Sequence, residues 1–172
     1  LPLRRFAKSE IVPSSKDRFL RKETLQGFVH DEASAFFGGL AGNAGLFSTA
    51  RDVARVYQML LNGGEIDGQR YLSKETCQLF TTETSKISRR GLGFDKPDAD
   101  DPKKGNCAPA APAEVYGHTG FTGTCAWVDP VNELVYVFLS NRIYPDVTNR
   151  KLNQLHIRER IQGAIYDAMK KK

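Results

Sequence analysis

The sequence predicts an α+β fold, and three observations carry the prediction. Capped segments with helical periodicity fill the first half, β-branched and aromatic runs fill the second, and an amphipathic segment closes the chain. Helices come first, then a three-stranded antiparallel meander, then a C-terminal helix packed on it. No internal repeat is visible.

Residues 1–27 mix basic side chains with Pro13 and Ser14-Ser15 and keep no clean period. They read as an irregular lead-in holding one short helical or extended piece. Residues 28–94 are the helical segment of a domain that spans 28–172. Asp31 is placed to cap a short helix through Phe37, which Gly38-Gly39 ends. Residues 38–46 hold four glycines in nine positions, a run that favours close backbone approach over regular structure. Thr49 followed by Asp52 marks the start of the clearest helix. Val53, Val56, Tyr57, Leu60 and Leu61 then recur on one face, and Asn62-Gly63-Gly64 stops the helix. A shorter helix starts at a Ser73 cap and carries Cys77, Leu79 and Phe80.

Residues 95–113 are a loop by composition, with Pro97, Pro102, Pro109 and Pro112. Asp98, Asp100 and Asp101 lack EF-hand spacing and its closing glutamate, so they read as a solvated loop rather than a calcium site. Residues 114–172 hold the strands and the terminal helix. Strands are expected at 114–119, 124–128 and 134–139, with Asp129-Pro130-Val131-Asn132-Glu133 as the hairpin loop between the last two. Leu152, Ile157, Ile161, Ala164, Ile165 and Ala168 then set an apolar stripe on the closing helix. Lys170, Lys171 and Lys172 follow at its end, where the helix dipole favours cations.

Composition bounds the function. A chain of 172 residues with 40% hydrophobic and 26% charged residues suits one domain with one core. No run approaches the ~20 apolar residues of a membrane span. The net charge of +5 gathers in Arg4, Arg5, Lys8, Lys16, Arg18, Arg21, Lys22 and the final lysines. These basic residues are neither interleaved with aromatics nor set on a recognition motif, so no nucleic-acid partner is expected. Cys77, Cys107 and Cys125 show no Cys-x-x-Cys spacing and support neither a zinc site nor a disulfide framework; Cys125 reads as a small core residue. No cofactor or metal is expected. The start, Leu1-Pro2-Leu3-Arg4-Arg5, is neither a signal peptide nor an initiator methionine, and the chain reads as part of something longer.

Chemistry concentrates in Tyr116-Gly117-His118-Thr119-Gly120-Phe121-Thr122-Gly123-Thr124. A titratable ring and a hydroxyl stand on a strand that ends in glycines. An acyl-transfer site uses such an edge because a substrate amide or ester can lie along it, with one N–H facing the developing oxyanion. Gly120 and Gly123 keep side chains out of the way. His118, with an unperturbed pKa near ~6.5, is suited to supply charge or relay a proton.

His118-Thr119-Gly120 resembles the Lys-Thr-Gly signature of serine β-lactamases and penicillin-binding proteins in its His-Thr-Gly form, which some D-alanyl-D-alanine peptidases and related esterases carry. The surrounding register extends the likeness. Gly117 to Gly123, the loop from Asp129, the run from Val135 to Asn141 and Tyr144-Pro145 look like the end of a class C β-lactamase-type domain. Ala44-Gly45-Leu46-Phe47-Ser48-Thr49-Ala50-Arg51-Asp52-Val53-Ala54-Arg55 resembles a helix of that family's helical subdomain, and Tyr71-Leu72-Ser73 before a helix also fits. The likeness covers about residues 28–169. The β-lactamase-like domains fused to family 3 β-N-acetylglucosaminidases in Bacteroides-like bacteria are similar too.

The resemblance implies roles. Thr119, with Gly120 beside it, would bind substrate; His118 would stand in for the lysine near the nucleophile; the Phe121 N–H would be one oxyanion donor. Asp146 occupies the place of an asparagine that helps hold the substrate carboxylate in class C enzymes. That carboxylate, together with His for Lys, argues against an efficient β-lactamase. No serine of this chain has lysine three residues later, so the Ser-x-x-Lys nucleophile is absent. Tyr71-Leu72-Ser73 lies downstream of the Gly-rich stretch, on the wrong side for the second signature. The chain is therefore expected to be the C-terminal part of a serine hydrolase, inactive on peptide, ester or β-lactam-like substrates by itself. The missing N-terminal half would be its partner, and an open sheet edge would favour self-association. Two other readings stand beside this one: a non-catalytic module for cell-wall peptides, and an accessory domain of a larger glycoside hydrolase. The family's usual substrates imply the periplasm or cell surface. Of the remaining candidates, Asp31 of His30-Asp31 reads as a cap, His156 as surface and Trp127 as core. Asn141-Arg142 reads equally as carboxylate recognition or as a local structural pairing.

Overall fold

The computed structural model describes residues 2–82, 85, 87–98, 100–101 and 105–170. Leu1, Pro102, Lys171 and Lys172 lie outside the described residues. Within them the chain forms five α-helices and seven short strands, an α+β architecture.

The centre is an antiparallel sheet of β5 (Tyr116–Thr119), β6 (Cys125–Asp129) and β7 (Leu134–Phe138), in that order. These strands match the expected meander to within a residue or two. Every residue of β6 is buried, as the middle strand requires. One face of the sheet holds Cys107, Val115, Cys125, Trp127 and Tyr136, with Ala111, Phe138 and Ile165 at its margin. Each large side chain withdrawn there contributes on the order of 1.5–3 kcal/mol. The Asp129 carboxylate closes the β6–β7 loop by accepting the N–H groups of Val131 and Asn132 at 2.9 and 3.0 Å.

The expected side-chain caps are present. Asp31 accepts from the Ser34 N–H at the start of α1 (Glu32–Phe36), Thr49 from Asp52 at α2 (Ala50–Leu61) and Ser73 from Thr76 at α3 (Lys74–Thr81). Gly38 and Gly39 follow α1 with φ of 81° and 85°, which ends it. In α3 only Cys77 is buried; Leu79 and Phe80 stay exposed. α2 lies against β6 and β7, and the rings of Tyr57, Phe94 and Tyr116 link it to β5.

Three features differ from the sequence reading. The lead-in is not irregular throughout: β1 (Pro13–Lys16) pairs antiparallel with β2 (Thr24–Gln26). Asp17 organises the connection, accepting N–H groups from Phe19, Leu20 and Arg21 and the Arg21 Nε at 2.7 Å. Those bonds, the Arg21 guanidinium foremost, hold the Asp17 carboxyl at about 2. A second hairpin joins β3 (Glu65–Ile66) to β4 (Gln69–Arg70) through Asp67-Gly68, both at positive φ.

The closing helix is the third correction. It is two helices, α4 (Lys151–Gln154) and α5 (Ile157–Met169), separated by His156 at φ 49°. The buried residues of α5 are Arg158, Gln162 and Tyr166, whereas Ile161, Ala164 and Ala168 of the expected stripe face outward. Two of its buried polar side chains find distant partners, while Arg158 Nε and Glu159 Oε2 find none among the described residues. Gln162 Oε1 accepts the Ala108 N–H at 2.8 Å, and the Tyr166 hydroxyl donates to Asp129 Oδ2 at 2.8 Å.

Candidate functional site

β5 ends in a tight turn. Gly120 donates its N–H to Thr124 O at 2.8 Å, and Gly123 donates to Gly120 O at 2.9 Å. A Cβ at Gly120 would stand 2.3 Å from Thr124 Oγ1, so any larger residue there would have to turn the Thr124 hydroxyl aside. On its outer side β5 meets residue 95: Asp95 N donates to Gly117 O at 2.7 Å and Gly117 N to Asp95 O at 3.0 Å. Backbone groups of an antiparallel strand alternate between its two neighbours. Thr119, two residues on from Gly117, therefore turns its N–H and C=O to the same outer edge, beyond the reach of Asp95.

The site side chains gather around that edge. Strand alternation sends the His118 ring to the face of Tyr116 and the Thr119 side chain to the opposite face. The ring's Nδ1 lies 2.7 Å from Thr119 O and its Nε2 lies 3.3 Å from Arg90 Nη1. Phe121, on the turn, is 58% exposed. Its ring stacks on His30 with centroids 5.1 Å apart and planes at 4°, and the Arg142 guanidinium sits 4.8 Å from its centroid. Among the described residues nothing accepts the Phe121 N–H.

Arg142 is also tied to main chain. Its N–H bonds to Thr122 O at 2.9 Å and its Nη1 reaches Asn149 O at 3.2 Å. Asn141 is drawn elsewhere: its Nδ2 donates to Pro13 O, fastening β1 to the end of the central sheet. Asp146 is exposed and accepts from the N–H and hydroxyl of Thr148, at 2.9 and 2.8 Å. The Thr148 N–H does most to hold its carboxyl below the usual range.

The structure thus brings His118, Thr119, Gly120 and Phe121 together on one strand and turn, places Arg142 on Phe121, and takes Asn141 to Pro13. Sequence reasoning misses Arg90 and His30, which meet the site across 28 and 91 residues and sit in no motif. His30 arrives through the β1–β2 connection, because Arg21 donates to the carbonyls of Val29 and His30 at 2.7 and 2.9 Å. Burial draws the His30 imidazole below the ordinary histidine range, with Asp31 pushing the other way.

Cysteine chemistry is not available here. Cys107 and Cys125 are buried free thiols that burial pushes up to about 12 and about 11, far from thiolate at neutral pH. Among the described residues no cluster of three or more His, Cys, Asp or Glu side chains could hold a metal ion, and no helix is long and apolar enough to cross a membrane. A cleft of about 800 Å³ between α2, α3 and the start of β5 is lined by residues such as Leu61, Cys77, Lys96 and Tyr116, and none of the strand-end residues contributes to it.

Parts of known proteins resemble this sequence. The family model described as Beta-lactamase matches residues 7–159. A putative D-alanyl-D-alanine carboxypeptidase of Escherichia coli (strain K12) is 37% identical over 135 residues, 78% of this chain and 31% of that protein. A protein of the same description from Salmonella agona (strain SL483) matches with the same identity and coverage. The chain therefore spans about a third of the length of the curated relatives it matches. Among solved structures, a penicillin-binding protein homolog from Caulobacter crescentus is similar at 26% identity and a TM-score of 0.42, over 52% of this chain and 24% of that one. The matched span reaches from the lead-in to α5 and includes every site residue named above: the chain belongs to the beta-lactamase family.

Proposed function

We propose that this chain supplies the substrate strand and oxyanion side of a serine acyl-transfer site for acyl-D-alanine peptides, of class C type. One observation carries the reading: past Asp95 the outer edge of β5 offers the Thr119 N–H, and the Phe121 N–H, which nothing among the described residues accepts, follows on the turn. An extended peptide would add to that edge by main-chain hydrogen bonds. The Thr119 hydroxyl would bind its carboxylate, and Gly120 leaves room for the chain to pass.

In the reaction a serine oxygen bonds to the peptide carbonyl carbon. The carbonyl oxygen takes up negative charge facing the Phe121 N–H, and the bond to the leaving D-alanine nitrogen then breaks as that nitrogen gains a proton. The serine belongs to a Ser-x-x-Lys motif contributed by another part of a longer polypeptide. Asp146, like His118 in the place of lysine, favours a peptidase or esterase over a β-lactamase. Such substrates place the protein in the periplasm or at the cell surface. A fusion to a family 3 β-N-acetylglucosaminidase is the narrower proposal for the whole polypeptide, and its upstream reading frame tests that.

The absence of Ser-x-x-Lys from all 172 residues favours one further reading, a module that binds such peptides without cleaving them. A fluorescent penicillin should leave the isolated chain unlabelled and should label the longer protein if that protein is a catalyst. Covalent labelling of the isolated chain would refute the assignment of the nucleophile elsewhere. Both readings expect weak, saturable binding of N-acetyl-D-alanyl-D-alanine that Thr119→Val abolishes.

A further inference from the structure

Arg90 reaches the end of β5 from an anchored loop. Its neighbour Arg89 pairs with the buried Asp95: Nη2 donates to Oδ2 at 3.0 Å, and Nε lies 2.8 Å from Oδ1 without a hydrogen bond. Asn106 Nδ2 donates to the same carboxylate at 2.9 Å. Burial would raise the Asp95 pKa, but the bonds from Asn106 and Arg89 outweigh it and hold the group ionised. The Asp95 backbone is paired with Gly117, the residue before His118. The Gly91 N–H to Phe94 O bond, at 3.1 Å, folds the intervening stretch back on itself. Arg90 is exposed; among the described residues no carboxylate lies within ion-pair distance of it, and its charge acts on Asp95 from further off.

The contact between Arg90 Nη1 and His118 Nε2 allows one assignment of protons. A guanidinium has only donors, so Nε2 accepts. The ring proton then sits on Nδ1, from which it is donated to Thr119 O at 2.7 Å. In that state the imidazole is uncharged, and the positive charge beside the ring belongs to Arg90.

We propose that Arg90 is a cation of this site beside Arg142, holding His118 in the Nδ1–H tautomer together with the Thr119 carbonyl and binding the terminal carboxylate of the peptide that lies on β5. A planar guanidinium suits a carboxylate bidentately, which a histidine ring cannot do. The carboxylate role rests on the acyl-site reading above; the tautomer role rests on the geometry alone.

Two measurements on the full 172-residue chain test these roles. Ring-nitrogen NMR of histidine-labelled protein should find His118 as Nδ1–H, and Arg90→Ala should weaken that preference to what the Thr119 carbonyl alone sustains. A native ring carrying its proton on Nε2 overturns the tautomer role. N-acetyl-D-alanyl-D-alanine should then bind at least about tenfold more tightly than its C-terminal amide. Arg90→Ala should erase that ratio and Arg90→Lys should keep part of it, with backbone amide spectra otherwise native. A ratio unchanged in Arg90→Ala overturns the carboxylate role while leaving the acyl site standing. If neither peptide binds the native chain, the carboxylate role falls together with the acyl-site reading, and the tautomer result still decides the rest.

Discussion

α2 and α5 flank the same three-stranded sheet, and their sequences advertise opposite things. α2 carries a regular apolar face, yet none of its residues is fully buried, and Val56 within that face is 55% exposed. α5 presents a weaker pattern and buries Arg158, Gln162 and Tyr166, four residues apart, while Ile161 stays 38% exposed. The α5 face is closed by hydrogen bonds as much as by apolar contact. Gln162 holds Ala108, Tyr166 holds Asp129, and the Arg158 carbonyl accepts the Tyr136 hydroxyl at 3.1 Å. An apolar stripe thus marks a surface that calls for cover, and this chain covers the α2 side only in part.

If the α5 face is the completed one, substitutions there dominate stability. Trp127 is 1% exposed in the cluster beneath α5, and Trp127→Ala should cost about 3–5 kcal/mol in denaturant titration. A loss near that expected on the α2 side would break the comparison. Tyr166→Phe tests the polar closure more narrowly, because it keeps the ring and leaves the buried Asp129 short of one donor. The expected loss is about 1–3 kcal/mol. Val56→Ala, on the exposed part of α2, should change stability by no more than about 0.5 kcal/mol. A larger loss that grew with protein concentration would mean that a second molecule covers α2.

How much could be read beforehand follows the same division. Caps are local, since a side-chain oxygen meets an N–H three residues on, and Asp31, Thr49 and Ser73 announce themselves for that reason. The meander is legible because alternation and turn residues fix it within a short window. The buried face of α5 is not legible: Gln162 finds Ala108 and Tyr166 finds Asp129 across 54 and 37 residues, and no periodicity encodes such partners. The β3–β4 hairpin did carry a signal, Asp67-Gly68, the dipeptide that a left-handed two-residue turn selects. The strand-end residues of the site were visible as a motif. The residues that surround them, Arg90 and His30, depend on how distant loops are anchored, the one by Arg89 and Asp95, the other by Arg21.

The smallest expected effect lies at the end of the sheet, where His30, just past the lead-in, rather than either helix provides the cover. Burial lowers the pKa of His30 in the fold from the 6.5 of the free side chain. The folded chain therefore binds its proton less readily than the unfolded chain does. The contribution of His30 is complete above pH 6.5 and is lost progressively as pH falls from there toward its folded value. His30→Phe keeps an aromatic ring on Phe121 and removes the proton, so the variant should lose this part of the pH slope. Amide exchange at Phe121 and Thr122, followed between pH 7 and 5, reads the effect locally. Faster opening in acid for the native chain alone is the expected result. An identical slope in both proteins would mean that the stack is not coupled to the turn, and that the strand end is held by Arg142 and Thr122 without help from His30.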